Sequence, residues 1–185
     1  MKQKLLLLFI SYWVLACIPK SIPSISTTGT NPKVSSKNAY SLLPKFRNLS
    51  GIKAIEAVDD SLLLKAKRWQ GSGNYPGIDT WQVFEIPAHT RLYGGLPGQS
   101  EFYSIEQSLK AVNNNKVKYW ESLQVAPNPT MGFRPKVGEF SLNISTKVAV
   151  SITLANPQFG KGGAWQVFLI DFQQKLTKIN EIILE

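Results

Sequence analysis

Between residues 147 and 154 apolar and polar side chains alternate in a Val/Ile-rich run, and 165–170 reads as a second strand. The break between them holds Pro157, Gly160, Gly162 and Gly163, residues that permit tight turns and unusual backbone angles. This exceeds what a hairpin needs. Three glycines in four positions either leave backbone open to close approach or form an ordinary hairpin loop, and Gln166 re-enters the sheet directly afterwards.

The same patterning predicts the remaining elements. Ile52, Ile55, Val58, Leu62, Leu63 and Ala66 recur at three- and four-residue spacing, which predicts a helix over 51–69 capped by Ser50, with Asp59 and Asp60 facing solvent. Residues 70–79 are loop by composition. A strand over 80–86 is apolar on most of both faces, so it lies centrally or against the helix, and Pro87 ends it. Ser104 with Gln107 fits a capping box for a helix over 104–113, closed by three asparagines. Strands are expected over 119–125, at Phe140, Leu142 and Ile144, and along 176–184 as an edge; 127–135 is irregular and carries Arg134. About six strands and two helices without regular alternation argue an α+β fold, a small mixed or antiparallel sheet with one or two packing helices.

Length and charge set the frame. The 185 residues suffice for one domain with a sizeable core, and 43% are hydrophobic. Lys and Arg outnumber Asp and Glu, 21 to 12, a formal +9. That favours anionic partners, but the basic residues are scattered, so nucleic acid is not the expected partner.

The N-terminus reads as a targeting segment. Lys2 and Lys4 precede a short apolar run ending at Val14-Leu15-Ala16-Cys17, which resembles a bacterial lipoprotein cleavage box with Cys17 as the lipidated residue. Residues 1–16 are then a signal peptide, 17–49 a lipidated tether rich in Ser, Thr, Pro and Asn, and 50–185 the domain. Within the tether Tyr40, Leu42, Leu43 and Phe46 are the clustered apolar residues and candidates to dock on it. Losing Lys2 and Lys4 with no acid leaves +7. Cys17 is the sole cysteine, so no disulfide forms within the chain.

The candidate chemistry lies in two glycine-rich segments. In 88–104, Arg91 and Tyr93 share a side of an extended run that leads into Gly-Gly-Leu-Pro-Gly. An arginine fork, an aromatic face and glycine amides suit a ligand with phosphates and a flat ring; a surface ion pair for Arg91 and a core position for Tyr93 is the alternative. One histidine, His89, and one cysteine exclude a His/Cys zinc cluster, a Cys–His dyad and a hydrolase triad. Neither segment has P-loop or dinucleotide-fingerprint spacing.

Together the segments resemble the NAD-glycohydrolase toxin domains typified by the tuberculosis necrotizing toxin. The likeness is clearest at Phe159-Gly160, a two-residue step, the glycine run and Gln166 entering a strand, with Ala164 where that run continues. It is looser at Arg91, Tyr93-Gly94, Gly98 and Phe102 or Tyr103, where Thr90 replaces an Asp and Leu92 is inserted. The resemblance implies a distantly ADP-ribosyltransferase-like fold without a Glu-x-Glu pair, and cleavage of the nicotinamide–ribose bond of NAD or NADP by water, with the dinucleotide as substrate and no cofactor. It assigns Arg91 and Gln166 as catalytic residues, Tyr93, Arg134, Phe159, Gly162 and Gly163 to substrate binding, and an immunity protein as partner. The alternatives are a non-enzymatic surface lipoprotein that binds a ligand, and a small basic ribonuclease using His89 with Arg91 or Lys161.

Overall fold

The apolar alternation of 82–86 and 146–152 becomes the inner pair of strands on which the other elements are hung. The computed structural model describes residues 42–70, 79–154 and 156–185; the signal segment, Cys17, Tyr40 and the loop at 71–78 lie outside the described residues. The elements in chain order are α1 (Leu43–Arg47), β1 (Ile55–Glu56), α2 (Asp60–Gln70), β2 (Gln82–Ile86), β3 (Arg91–Leu96), β4 (Phe102–Tyr103) and α3 (Glu106–Lys110). They continue with α4 (Lys116–Ser122), β5 (Lys136–Leu142), β6 (Thr146–Ile152), β7 (Trp165–Phe168), α5 (Phe172–Lys175) and β8 (Leu176–Ile183).

A five-stranded sheet runs β1-β2-β6-β7-β4 and a three-stranded one β3-β5-β8, with each of these pairs antiparallel. The fold is therefore α+β with antiparallel sheets and a few helices. The sheets meet where Tyr93 and Ser104 exchange backbone hydrogen bonds of 2.9 and 2.8 Å.

Both faces of the five-stranded sheet are covered, which explains the doubly apolar β2. One face (Phe84, Ile86, Val148, Val150, Val167) packs against Leu92, Phe140 and Leu142 of the other sheet and against Phe46 of α1. The opposite face, with Val83, Ala149 and Phe168 in register across three strands, is covered by Leu62 and Ala66 of α2. Helices α3 and α4 cover the three-stranded sheet, where Leu109, Tyr119 and Trp120 meet Tyr93, Val137 and Leu184.

Three expected elements differ. The first helix begins only at Asp60, because Asp59 accepts from the Leu62 amide at 3.0 Å and from the Ser61 hydroxyl at 2.8 Å, holding the start of the helix there. These bonds keep the Asp59 carboxyl below its ordinary value. Ahead of it, 55–56 pairs with β2 as an edge strand instead of adding a helical turn. The strand expected over 119–125 is helix α4: Asn115 accepts from the Lys118 amide at 3.0 Å, so the asparagine run caps a new helix. Tyr119 and Trp120 are both buried, and a helix places such neighbours about 100° apart on one side, whereas a strand sends them to opposite faces. Ser104 is not a cap either. It belongs to the sheet junction, and its hydroxyl meets Tyr119 Oη at 2.6 Å.

The docking anticipated within the tether occurs at Leu42 and Phe46. Phe46 is 0% exposed, with ring centroids 4.9 Å from Phe84 and 5.2 Å from Trp165. Phe46→Ala is expected to lower stability in urea by about 3–5 kcal/mol, the range for a large buried aromatic. A loss under about 1 kcal/mol would show that α1 stands apart from the core.

Candidate active-site cleft

The glycine segment does have something approaching its backbone: the C-terminus of α4. After a single 3-10 turn at Pro157–Phe159, the Gly162 amide donates to Glu121 O at 3.3 Å and the Ala164 amide to Ser122 O at 3.2 Å. These carbonyls lie where the helical ladder runs out, and Glu121 O also accepts from the Gln124 amide at 3.1 Å. A Cβ at Gly160 would lie 2.2 Å from Glu121 O, and one at Gly162 2.0 Å from Thr153 O. Both positions also need a positive φ (147° and 68°), so only glycine fits.

Gln124 closes the junction. At the exit of α4 with φ 54° and 2% exposure, its Oε1 accepts from the Asn156 amide at 2.8 Å and its Nε2 donates to Gly160 O at 3.1 Å. Thr153 adds a hydroxyl bond to Ser122 O at 2.6 Å. The loop, the end of β6 and α4 are thereby tied into one wall.

That wall borders a cleft of about 900 Å³ lined by, among others, Tyr93, Phe102, Trp120, Arg134, Asn156 and Gln166. Gln166 is half-buried on β7 opposite Ser151 of β6, on the face that carries Phe168 two residues later. Trp120 is held by its indole, which donates to Arg134 O at 2.9 Å, while Arg134 Nη1 reaches Gly95 O at 3.5 Å. Gly94 and Gly95 lie inside β3, not in the expected turn, because the Tyr103 ring stands 2.9 Å from a Cβ position at Gly94 and the Trp120 ring 2.6 Å from one at Gly95.

The phenols of this wall stay protonated. Burial pushes Tyr93, Tyr103 and Tyr119 well up from the ordinary tyrosine value, and the charge of Glu139 adds to the effect at Tyr93. Opposite them Asp79, 7% exposed, accepts from the Leu154 amide at 3.0 Å and from Gln70 Nε2.

Residues 58–171 match the model of the Rhs1 C-terminal toxin domain. The chain belongs to this family. A solved structure, Rhs1-CT in complex with cognate immunity protein RhsI1, is similar over 69% of this chain and 98% of that one, at 32% identity and a TM-score of 0.64. The structure of Tse6 in complex with Tsi6 matches over 56% of this chain and 74% of that one, at 14% identity and a TM-score of 0.38, too slight a likeness to bear on the fold or the site. No curated protein sequence matches.

In this Rhs1-type domain Gln166, Arg134 and Tyr93 line one cleft, and Arg91 does not. Arg91 borders a separate hollow of about 340 Å³ with His89 and Lys110, and pairs with Glu139. Tyr93 is the partition, lining both spaces while its hydroxyl donates to Glu139 at 3.2 Å. Phe159, Gly162, Gly163 and Lys161 do not line the cleft, and the amides of Gly162 and Gly163 are committed to Glu121 and Thr153. Phe102 was named only as an alternative to Tyr103 in the resemblance, and Trp120, Asp79, Asn156 and the buried Gln124 escaped the sequence reading. Trp120 was hidden by the strand expected there; a lone Gln or Asn after a helix carries no signal.

Two stability experiments follow from these contacts. Gly162→Ala and Gly160→Ala meet backbone oxygen and should destabilise the domain far more than Gly163→Ala, which meets nothing within 4 Å and carries only the strain of φ 89°, about 1 kcal/mol. Equal urea midpoints for Gly160→Ala and Gly163→Ala would refute the docking of the loop on α4. At Glu139, burial pulls the carboxyl up, but the hydrogen bond and charge of Arg91, with Tyr93 and Asn180, outweigh it and hold it below its ordinary 4.5. A depressed folded value stabilises above the unfolded one and is lost as pH falls through the folded value. Glu139→Gln should therefore lower the urea midpoint at neutral pH, with the gap to wild type closing well below pH 4.5.

Proposed function

We propose that the cleft binds NAD or NADP and that water cleaves the nicotinamide–ribose bond within it, as the resemblance to NAD-glycohydrolase toxin domains implies. The observation that carries this reading is the convergence of Gln166, Arg134 and the rings of Phe102 and Trp120 on one cleft of about 900 Å³. Such a volume is at the upper end for small-molecule sites and accommodates a dinucleotide. Membership of a toxin-domain family agrees with a substrate whose loss is lethal.

The chemistry asks little of acid–base groups. Nicotinamide leaves from a pyridinium and needs no proton, so the site must hold the pyrophosphate and favour an oxocarbenium-like transition state. Arg134 and Lys116, both on the cleft wall, take the phosphates. Gln166 faces the ribose and the attacking water, and the aromatic rings flank a base. Arg91 reaches this wall only through Glu139 and Tyr93, so replacing it acts indirectly. His89, the residue a ribonuclease would require, lies outside the cleft.

The partner follows the same line. The similar Rhs1-CT is described with a cognate immunity protein, and we propose an inhibitory protein of that kind for this chain. Export with a lipid anchor at Cys17, and the distant ADP-ribosyltransferase relationship, remain part of the proposal and rest on sequence alone.

The test is nicotinamide release from NAD and NADP by the purified protein. Gln166→Ala should lower kcat by roughly 100-fold or more, the loss typical of one preorganised polar group. Arg134→Ala should mainly raise KM, and His89→Ala should leave turnover unchanged. A folded wild type that releases no nicotinamide at high enzyme concentration would sink the hydrolase reading.

A further inference from the structure

Among the described residues three buried side-chain atoms lack a hydrogen-bond partner: Ser108 Oγ, Ser151 Oγ and Asn156 Oδ1. Two of them belong to the Gln166 end of the cleft. Asn156 lines it, and Ser151 is the cross-strand partner of Gln166. A buried hydroxyl without a partner is destabilising, and alanine in a β-strand would remove that burden. On its face Thr153, two residues along, has its hydroxyl committed to Ser122 O at 2.6 Å, which leaves the residue directly across the sheet. Directly opposite residues of an antiparallel pair put their Cβ atoms about 5 Å apart on one face. On that face Ser151 is flanked along its own strand by Ala149, with Trp81 packed in the same cluster. The amide of Gln166 is the polar neighbour, and no hydrogen bond of that side chain to a described residue is recorded in the unliganded chain.

We infer that Ser151 is a positioning residue for Gln166. The inference rests on the NAD-hydrolysis reading. Gln166 presents an acceptor oxygen at one end of its amide and a donor nitrogen at the other, and the two are of similar size. Only the oxygen suits a ribose that becomes cationic, and only it accepts a proton of the attacking water. When substrate fills the cleft, Gln166 Nε2 donates to Ser151 Oγ, and Oε1 faces the reacting carbon. Ser151 itself is 0% exposed and touches no substrate. It fixes which end of the amide does.

The experiment compares Ser151→Ala, Ser151→Thr, Gln166→Ala and the Ser151→Ala/Gln166→Ala double variant in nicotinamide release, with thermal midpoints for each. Ser151→Ala should lower kcat by roughly 10-fold to 100-fold, the effect of a misaligned catalytic group, while KM changes little and the thermal midpoint holds or rises. Ser151→Thr keeps the hydroxyl and should recover most of kcat. The double variant should be no slower than Gln166→Ala alone, because the pair acts as a unit. Losses that multiply, or a folded Ser151→Ala with wild-type kcat, would overturn the inference while leaving the hydrolase reading intact.

If wild type releases no nicotinamide, the hydrolase reading fails separately. The pairing is then read without turnover, from the side-chain amide ¹⁵N resonances of Gln166 on adding NAD, assigned by their absence in Gln166→Ala. NAD-dependent slowing of amide-proton exchange in wild type but not in Ser151→Ala supports the contact; no difference between the two refutes it.

Discussion

The structure depends on the junction between the C-terminus of α4 and the glycine loop. A helix ending inside a protein leaves carbonyls without partners, and burying them bare is costly. Here the loop amides of Gly162 and Ala164 and the hydroxyl of Thr153 supply donors to Glu121 and Ser122, and Gln124 returns two bonds to the loop. Neither side is complete alone. The loop has no regular structure of its own beyond one 3-10 turn, and the Ser122 carbonyl at the end of α4 takes donors from the loop and from Thr153. Because α4 also carries Tyr119 and Trp120, the same junction sets the distance between the aromatic wall and the sheet end that bears Gln166.

The cleft arises where the coverage of one sheet face runs out. Along β6 and β7 the pair Ala149–Phe168 is sealed beneath α2, and the next pair on that face is Ser151–Gln166. The sequence switches from apolar to polar there because α2 ends at Gln70, whose amide is spent on Asp79 and Trp81. Beyond it Gln166 borders the cleft, and the opposite wall comes from a different layer, the helix on the three-stranded sheet. A polar site between two apolar layers is a consequence of their unequal lengths.

The sequence made the strands legible and the walls illegible. Apolar and alternating runs found β2, β6 and β7 because each sets buried side chains against a partner, which is a local property. Gln166 was found because a short motif surrounds it. The wall residues are contributed by contacts that local pattern does not encode. The buried neighbours Tyr119 and Trp120 fit a strand as well as a helix until Asn115 is known to cap, and Asp79 and Gln124 act through partners 75 and 32 residues away. Arg91 shows the converse. The pattern put it beside Tyr93, and in the fold Tyr93 reaches the cleft while Arg91 stays in the neighbouring hollow, the two joined through Glu139.

This gives the glycine motif a physical meaning different from the one that first draws the eye. Glycines beside a polar residue that enters a strand invite the reading that a ligand lies on their amides. In this chain those amides are occupied, and adding a methyl group at Gly160 or Gly162 would collide with backbone of α4 or β6 before it met any ligand. The motif carries the fold: it docks the helix, the helix supplies the aromatic wall, and the strand that leaves the loop presents Gln166 on the same cleft. The residues that lock the loop are therefore also those that determine where the cleft can be.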